Sequence, residues 1–99
     1  MKLFVDDMRP FPAGDDFVCC RDYDEAIFAL AKNDFEYVTL DYHLGYGESG
    51  YDILVWMNNN SKRPAHINIH STHPYGREQM RDYCYDHFPD SKVTMKTSY

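Results

Sequence analysis

The sequence predicts an α/β fold: three layers around a mostly parallel, five-stranded sheet, with the first helix shortened or missing. Three observations carry this. Short apolar runs alternate with helix-period segments along the whole chain. The run Tyr37-Val38-Thr39-Leu40 reads as continuous rather than alternating, as in a strand covered on both faces. The stretch between the first two runs carries Pro10 and Pro12, which leaves no place for a full helix.

Residues 2–5 form the first expected strand, ended by Asp6-Asp7 and a proline-rich loop through Gly14. Residues 17–20 form the second. Residues 22–33 read as a helix, with Asp22 and Glu25 spaced as a capping box and Tyr23, Ala26, Ile27 and Leu30 on one face. After the third strand at 37–40 comes a loop with three glycines, and Ser49 is placed to cap a helix that turns Ile53, Leu54 and Met57 inward. Asn58 to Ser61 end that helix. Residues 66–70 form the fourth strand. Residues 76–88 form the last helix, with a stripe of Met80, Tyr83, Cys84, His87 and Phe88, and Pro89 stops it. Residues 93–96 suit a terminal strand.

Ninety-nine residues, 43% hydrophobic and 16% aromatic, describe one globular domain spanning 1–99. No stretch has the apolar length of a membrane span. Acids arrive too soon after the N-terminus for a signal peptide, so a cytoplasmic location is the expectation. Three unevenly spaced cysteines, Cys19, Cys20 and Cys84, make neither a disulfide framework nor a zinc pattern, and read as small apolar core residues. A net charge of −6 speaks against a broad nucleic-acid surface. A small anion held through a metal remains compatible with it.

The chemistry gathers at strand ends. Two carboxylates about 4 Å apart repel by about 4 kcal/mol at an effective dielectric of about 20. The adjacent pair Asp6-Asp7 therefore calls for a cation, and Asp41 follows another strand. In parallel sheets ligands bind beyond the carboxyl ends of the strands. Asp6, Asp7, Asp41, His70, Ser71 and Lys96 all fall there. Three carboxylates suit a hard, oxygen-preferring ion: magnesium, with manganese as the alternative.

The same positions resemble the receiver domain of two-component signalling. Asp6-Asp7 match its acidic pair, Asp41 its phospho-accepting aspartate, Ser71 or Thr72 its hydroxyl residue and Lys96 its lysine, with Lys92 the substitute if the strand register is shifted. A narrower resemblance rests on Asp6-Asp7-Met8-Arg9-Pro10, Asp41-Tyr42-His43-Leu44-Gly45, Gly50-Tyr51-Asp52 and His70-Ser71-Thr72-His73-Pro74-Tyr75-Gly76. Together these are similar to stand-alone, receiver-like domains described as cyclic-phosphate processing. His43 and His73 stand where that pattern leads one to expect Asp and Asn. The resemblance implies a flavodoxin-like order of elements and a small phosphate-containing ligand.

Each residue also has a plainer reading. The acids could be a solvated strand edge, and Ser71 and Thr72 could cap the turn ahead of Gly76. Arg9 and Arg77 fit a phosphate clamp or an ordinary surface. His70 suits proton transfer. His70 and His73 form an H-x-x-H pattern that suits zinc ligation with His43 or Asp41 as a third ligand, or acid/base work near a metal, and His73 reads equally as a hydrogen-bonded loop histidine. His66 and His87 read as structural, the latter facing the core. Three functions follow: metal-dependent hydrolysis of a cyclic phosphate, phospho-acceptance at Asp41 that switches a protein partner, or binding of a cyclic phosphate without turnover.

Overall fold

The computed structural model describes residues 1–14 and 16–97. The elements run β1 (Lys2–Val5), β2 (Phe17–Cys20), α1 (Tyr23–Lys32), β3 (Tyr37–Leu40), α2 (Gly50–Asn59), β4 (His66–Ile69), α3 (Pro74–His87) and β5 (Lys92–Thr94). The strands form one parallel sheet in the order β2-β1-β3-β4-β5. This is the expected α/β arrangement, and among the described residues no helix joins β1 to β2.

The strand order decides where the layers lie. The steps β2 to β3, β3 to β4 and β4 to β5 all move the same way across the sheet. Right-handed crossovers therefore put α1, α2 and α3 on one face. Packing agrees: Leu3, Val5, Val38, Leu40, Ile67 and Ile69 share one buried cluster with Ala26, Leu30, Ile53, Leu54, Met57, Met80 and Cys84 from all three helices, and with Phe88 at the end of α3. Only β1 to β2 steps the other way, and its crossover is a loop. The second outer layer of the three is thus reduced to a loop, whose Phe11 packs edge-on against Phe4 at 6.1 Å. Arg9 Nη1 ties that loop to the Thr97 carbonyl. On this face the strands present Phe4, Thr39, Asn68 and Thr94 in a single row.

Local chemistry sets the helix starts. The Asp22 side chain accepts from the Glu25 amide at 2.8 Å. At α2 the Asp52 carboxylate accepts from the Ser49 amide at 2.8 Å, closing a capping box. The last helix begins two residues before the expected Gly76, because His73 Nδ1 accepts from the Gly76 amide at 2.9 Å and Pro74 takes a position that needs no donor. At its other end His87 is exposed rather than facing the core. The buried ridge of α3 is Gly76, Met80 and Cys84. His87 lies beside it, against the Tyr83 ring at 4.2 Å. Burial pushes the Cys20 thiol up to about 11 and Cys84 up to about 12, so both are inert core residues.

Two glycines are steric requirements. A Cβ on Gly50 would lie 2.0 Å from the Asp41 carbonyl oxygen, and one on Gly76 would lie 2.3 Å from the Tyr42 ring. The first turns of α2 and α3 can close on the Asp41-Tyr42 strand end only because both positions lack a side chain.

Candidate functional site

The register sets β1, β3 and β4 level, so Val5, Leu40 and Ile69 end together. The next residues, Asp6, Asp41 and His70, emerge side by side. Each offers a ligand atom, and these atoms lie within 4.8 Å of one another. Among the described residues no other group of three His, Cys, Asp or Glu meets this description.

Asp6 is almost wholly buried, at 3% exposure. Its Oδ1 accepts from the amides of Met8 at 2.9 Å and Arg9 at 2.8 Å, a turn that folds the loop back over the strand end. Its Oδ2 accepts from His70 Nε2 at 3.0 Å, with Arg9 Nε at 3.7 Å. Burial pushes its carboxyl up. The Arg9 and Met8 amides and the His70 ring outweigh that and leave it below the ordinary aspartate value. Arg21 Nη1 secures the same loop by donating to the carbonyls of Asp6 at 3.2 Å and Arg9 at 2.7 Å, with its guanidinium over the Phe11 ring at 3.8 Å.

Asp41 is half-buried. Burial raises its carboxyl above the ordinary value, and the Asp6 charge raises it further. The Tyr42 amide and the Ser71 hydroxyl, which both hydrogen-bond it, hold it down. Two carboxylates, one of them made less acidic by the other, form a donor set that fits a hard divalent cation. Asp7 stays outside the tight group. It lines a shallow depression of about 410 Å³ with Asp6, Met8, Arg9, Asp41 and His43.

His70 is fully buried. Its ring stacks on Phe4 at 5.0 Å, 5° from parallel. Nδ1 is 2.8 Å from Thr39 Oγ1, and Nε2 meets Asp6. Burial lowers it to about 4, so the ring is neutral at physiological pH. Both of its nitrogens are engaged, and the ring has no exposure to the depression.

Ser71 is buried too, bonded to Asp41 and accepting from the His73 amide at 3.1 Å. His73 caps α3 and stacks on Tyr42 at 5.0 Å, with the exposed His43 edge-on at 4.8 Å. His70 and His73 do not converge on one point, and His73 takes the loop-bonded role. Thr72 is exposed beyond Ser71. Arg77, half-buried in the first turn of α3, has a buried Nε with no hydrogen-bond partner among the described residues.

Lys92 pairs in register with His66 at the amino end of the sheet, away from the acids. Lys96 lies past the carboxyl end of β5, and its residue is exposed. Its backbone is held by the Asn68 side chain, which donates to the Lys96 carbonyl and accepts from the Lys96 amide, both at 2.9 Å. The register thus leaves Lys96 as the lysine at the site's end of the sheet. Sequence reasoning passed over Thr39, Asn68 and Arg21. The run His66-Ile67-Asn68-Ile69-His70 alternates with period two, and that signal marks Asn68 as belonging to the face opposite the helices.

The family model described as cyclic-phosphate processing receiver domain matches residues 1–86. Among solved structures the chain is similar to a response regulator protein from Burkholderia pseudomallei, whose crystal structure contains a phosphorylated aspartic acid, a calcium ion and citrate. The TM-score is 0.63 at 16% identity, over 99% of this chain and 59% of that one, so the likeness is one of fold and this chain spans little more than half of that protein. Comparison with curated proteins gives no match. No helix of the described residues is long and apolar enough to cross a membrane. With the acidic pair, Asp41, His70 and the Gly76 turn all inside the matched span, the chain belongs to the cyclic-phosphate processing receiver domain family.

Proposed function

We propose that Asp6 and Asp41, with Asp7 beside them, hold a divalent cation, magnesium or manganese, and that the site hydrolyses a small cyclic phosphate. The observation that carries this is the depression itself: three carboxylates line it, and among the described residues Arg9 is the one Lys or Arg on its wall. A phosphate anion is repelled from such a place unless a cation is there first. When bound, that ion offsets the carboxylates and polarises a phosphoryl oxygen.

The remaining work falls to the chain's own groups. Water adds to phosphorus, the ring P–O bond breaks, and a linear monoester results. A proton leaves the water and another reaches the departing alkoxide. His43, the exposed imidazole on the wall, suits both transfers, and buried His70 is reassigned to holding Asp6. Arg9 and Lys96 counter the developing charge, with Arg77 a further donor for a phosphate oxygen. Ser71, held between Asp41 and the His73 amide, fixes the height of Asp41.

The test is phosphorus NMR of a panel of cyclic mononucleotides and smaller cyclic phosphates, with magnesium, with manganese and with chelator. Metal-dependent appearance of a monoester is expected, abolished in Asp41→Asn and reduced at least tenfold in His43→Gln. No turnover with any divalent ion defeats the reading. Two other outcomes are distinct. Asp41-dependent modification by acetyl phosphate would make the domain a phospho-acceptor with a protein partner. Binding that persists in chelator without product would make it a ligand-binding module.

A further inference from the structure

We infer that Asn68 and Thr39 are positioning residues: they lock His70 with its proton on Nε2, aimed at Asp6, so that the imidazole orients the carboxylate and a cation at this site is left to oxygen ligands. This goes beyond the proposed hydrolysis and holds whether or not the site turns over a substrate.

The lock is read from a hydrogen-bond chain whose direction is fixed at one end by backbone. A backbone N–H can only donate and a carbonyl can only accept. The Lys96 amide donates to Asn68 Oδ1 and the Lys96 carbonyl accepts from Asn68 Nδ2, each at 2.9 Å. The orientation of the Asn68 amide is therefore not a free choice. The same Nδ2 lies 3.0 Å from Thr39 Oγ1 and can only donate to it. Thr39 thus receives a proton there, and its Oγ1 lies 2.8 Å from His70 Nδ1, where it can donate. A nitrogen that accepts carries no proton, so in the neutral ring the proton sits on Nε2. From the other end the result is the same: Asp6 Oδ2, a carboxylate oxygen 3.0 Å away, accepts from Nε2.

The chain continues outward with the same polarity. Thr94 Oγ1 donates to Asn68 Oδ1 at 2.6 Å, and His66 Nε2 lies 2.7 Å from Thr94 Oγ1. The two central links, Thr94 to Asn68 and Asn68 to Thr39, join register partners on neighbouring strands. Such buried networks hold their geometry only when each member is satisfied. The consequence reaches the metal. A ring nitrogen that carries a proton has no lone pair for an ion, and the other nitrogen faces Thr39. His70 lies close enough to Asp6 and Asp41 to complete a three-ligand group, yet in this tautomer it offers no lone pair there, and ligation would require the proton to leave Nε2 and the Thr39 bond to reverse. The Lys96 backbone and, through Thr39, the ring that bears on Asp6 are thereby tied to one side chain, Asn68.

The test is a long-range proton–nitrogen NMR correlation on the full chain with labelled histidine, in chelator at neutral pH, His70 being assigned by its loss in His70→Gln. The expected pattern is a protonated Nε2 and a bare Nδ1. Asn68→Asp replaces the donor to Thr39 with an acceptor of the same shape, so the Thr39 hydroxyl turns away and His70 acquires a proton on Nδ1. Thr39→Ser keeps the wild-type pattern. A protonated Nδ1 with a bare Nε2 in the wild type overturns the inference, as does an unchanged His70 spectrum in Asn68→Asp. If Asn68→Asp does not fold, the wild-type tautomer alone decides. Electron spin-echo spectra of added Mn²⁺ give an independent arm: the expected spectrum has no imidazole nitrogen coupling, and a coupling lost in His70→Gln would refute the assignment. Failure of Mn²⁺ to bind counts against the proposed function and leaves the tautomer result standing.

Discussion

Replacing Asp41 by Asn should stabilise the metal-free protein and remove its response to metal. The ligand atoms of Asp6 and Asp41 lie within 4.8 Å of each other. Two unit charges at that separation repel by about 3 kcal/mol at an effective dielectric of about 20. Burial and the Asp6 charge both work against an ionised Asp41, as its raised pKa records. Asparagine keeps an oxygen to accept from the Tyr42 amide and an NH2 to meet Ser71. What it loses is the charge-assisted part of those bonds, about 1 kcal/mol. The net gain is about 1–2 kcal/mol, or roughly 5–10 °C in Tm for a domain of this size. Wild type with a saturating divalent ion, at about a hundred times its Kd, should gain about 2.7 kcal/mol by linkage. The Asn variant should gain almost nothing. Calorimetry of both proteins, in chelator and in magnesium or manganese, reads all four values. If the variant melts at or below wild type in chelator, the repulsion is not where the geometry puts it. If it still rises with metal, Asp41 is not a ligand.

Three further outcomes follow from other parts of the structure. The His70 value falls from 6.5 to about 4 on folding, so the neutral ring contributes stability that is complete above about pH 6.5 and is lost as the pH falls toward 4; that is a drop of about 3 kcal/mol, seen as an acid-side slope in denaturant midpoints that shrinks in His70→Gln. Gly76→Ala should lower Tm, with a cost of about 1–3 kcal/mol from overpacking, because its Cβ would lie 2.3 Å from the Tyr42 ring; an unchanged Tm would show that the ring can withdraw. Gly50→Ala brings a methyl to 2.0 Å from the Asp41 carbonyl oxygen, so it should weaken Mn²⁺ binding, measured by titration, at least tenfold even in the folded fraction; unaltered affinity would separate the backbone of Asp41 from its side chain.

Much of this was legible because it depends on local pattern. The first three strands, at 2–5, 17–20 and 37–40, have the bounds that their apolar runs gave them. That no helix joins β1 to β2 among the described residues follows from Pro10 and Pro12. Asp6 and Asp41 were visible as acids at strand ends, where a parallel sheet puts its ligands. What escaped were decisions made across strands. The last strand was expected to reach residue 96 but ends at Thr94, because the Asn68 amide takes the backbone N–H and C=O of Lys96 that a longer ladder would have used. No periodicity within 92–96 announces this. His70 reads as a proton carrier when its neighbours are Ser71 and a glycine turn. It becomes a buried orienting group only when Phe4, Thr39 and Asp6 surround it, and none of these lies within thirty residues of it in sequence. The repulsion inferred between Asp6 and Asp7 proved secondary for a related reason. Consecutive residues leave a strand end in different directions, so Asp6 turns inward to two amides and a ring while Asp7 stays half exposed. The like charge that matters comes from the neighbouring strand: in the raised value of Asp41, Asp6 outweighs Asp7. The feature that most asks for a cation is therefore a contact between residues thirty-five apart, brought together by the register of β1 against β3.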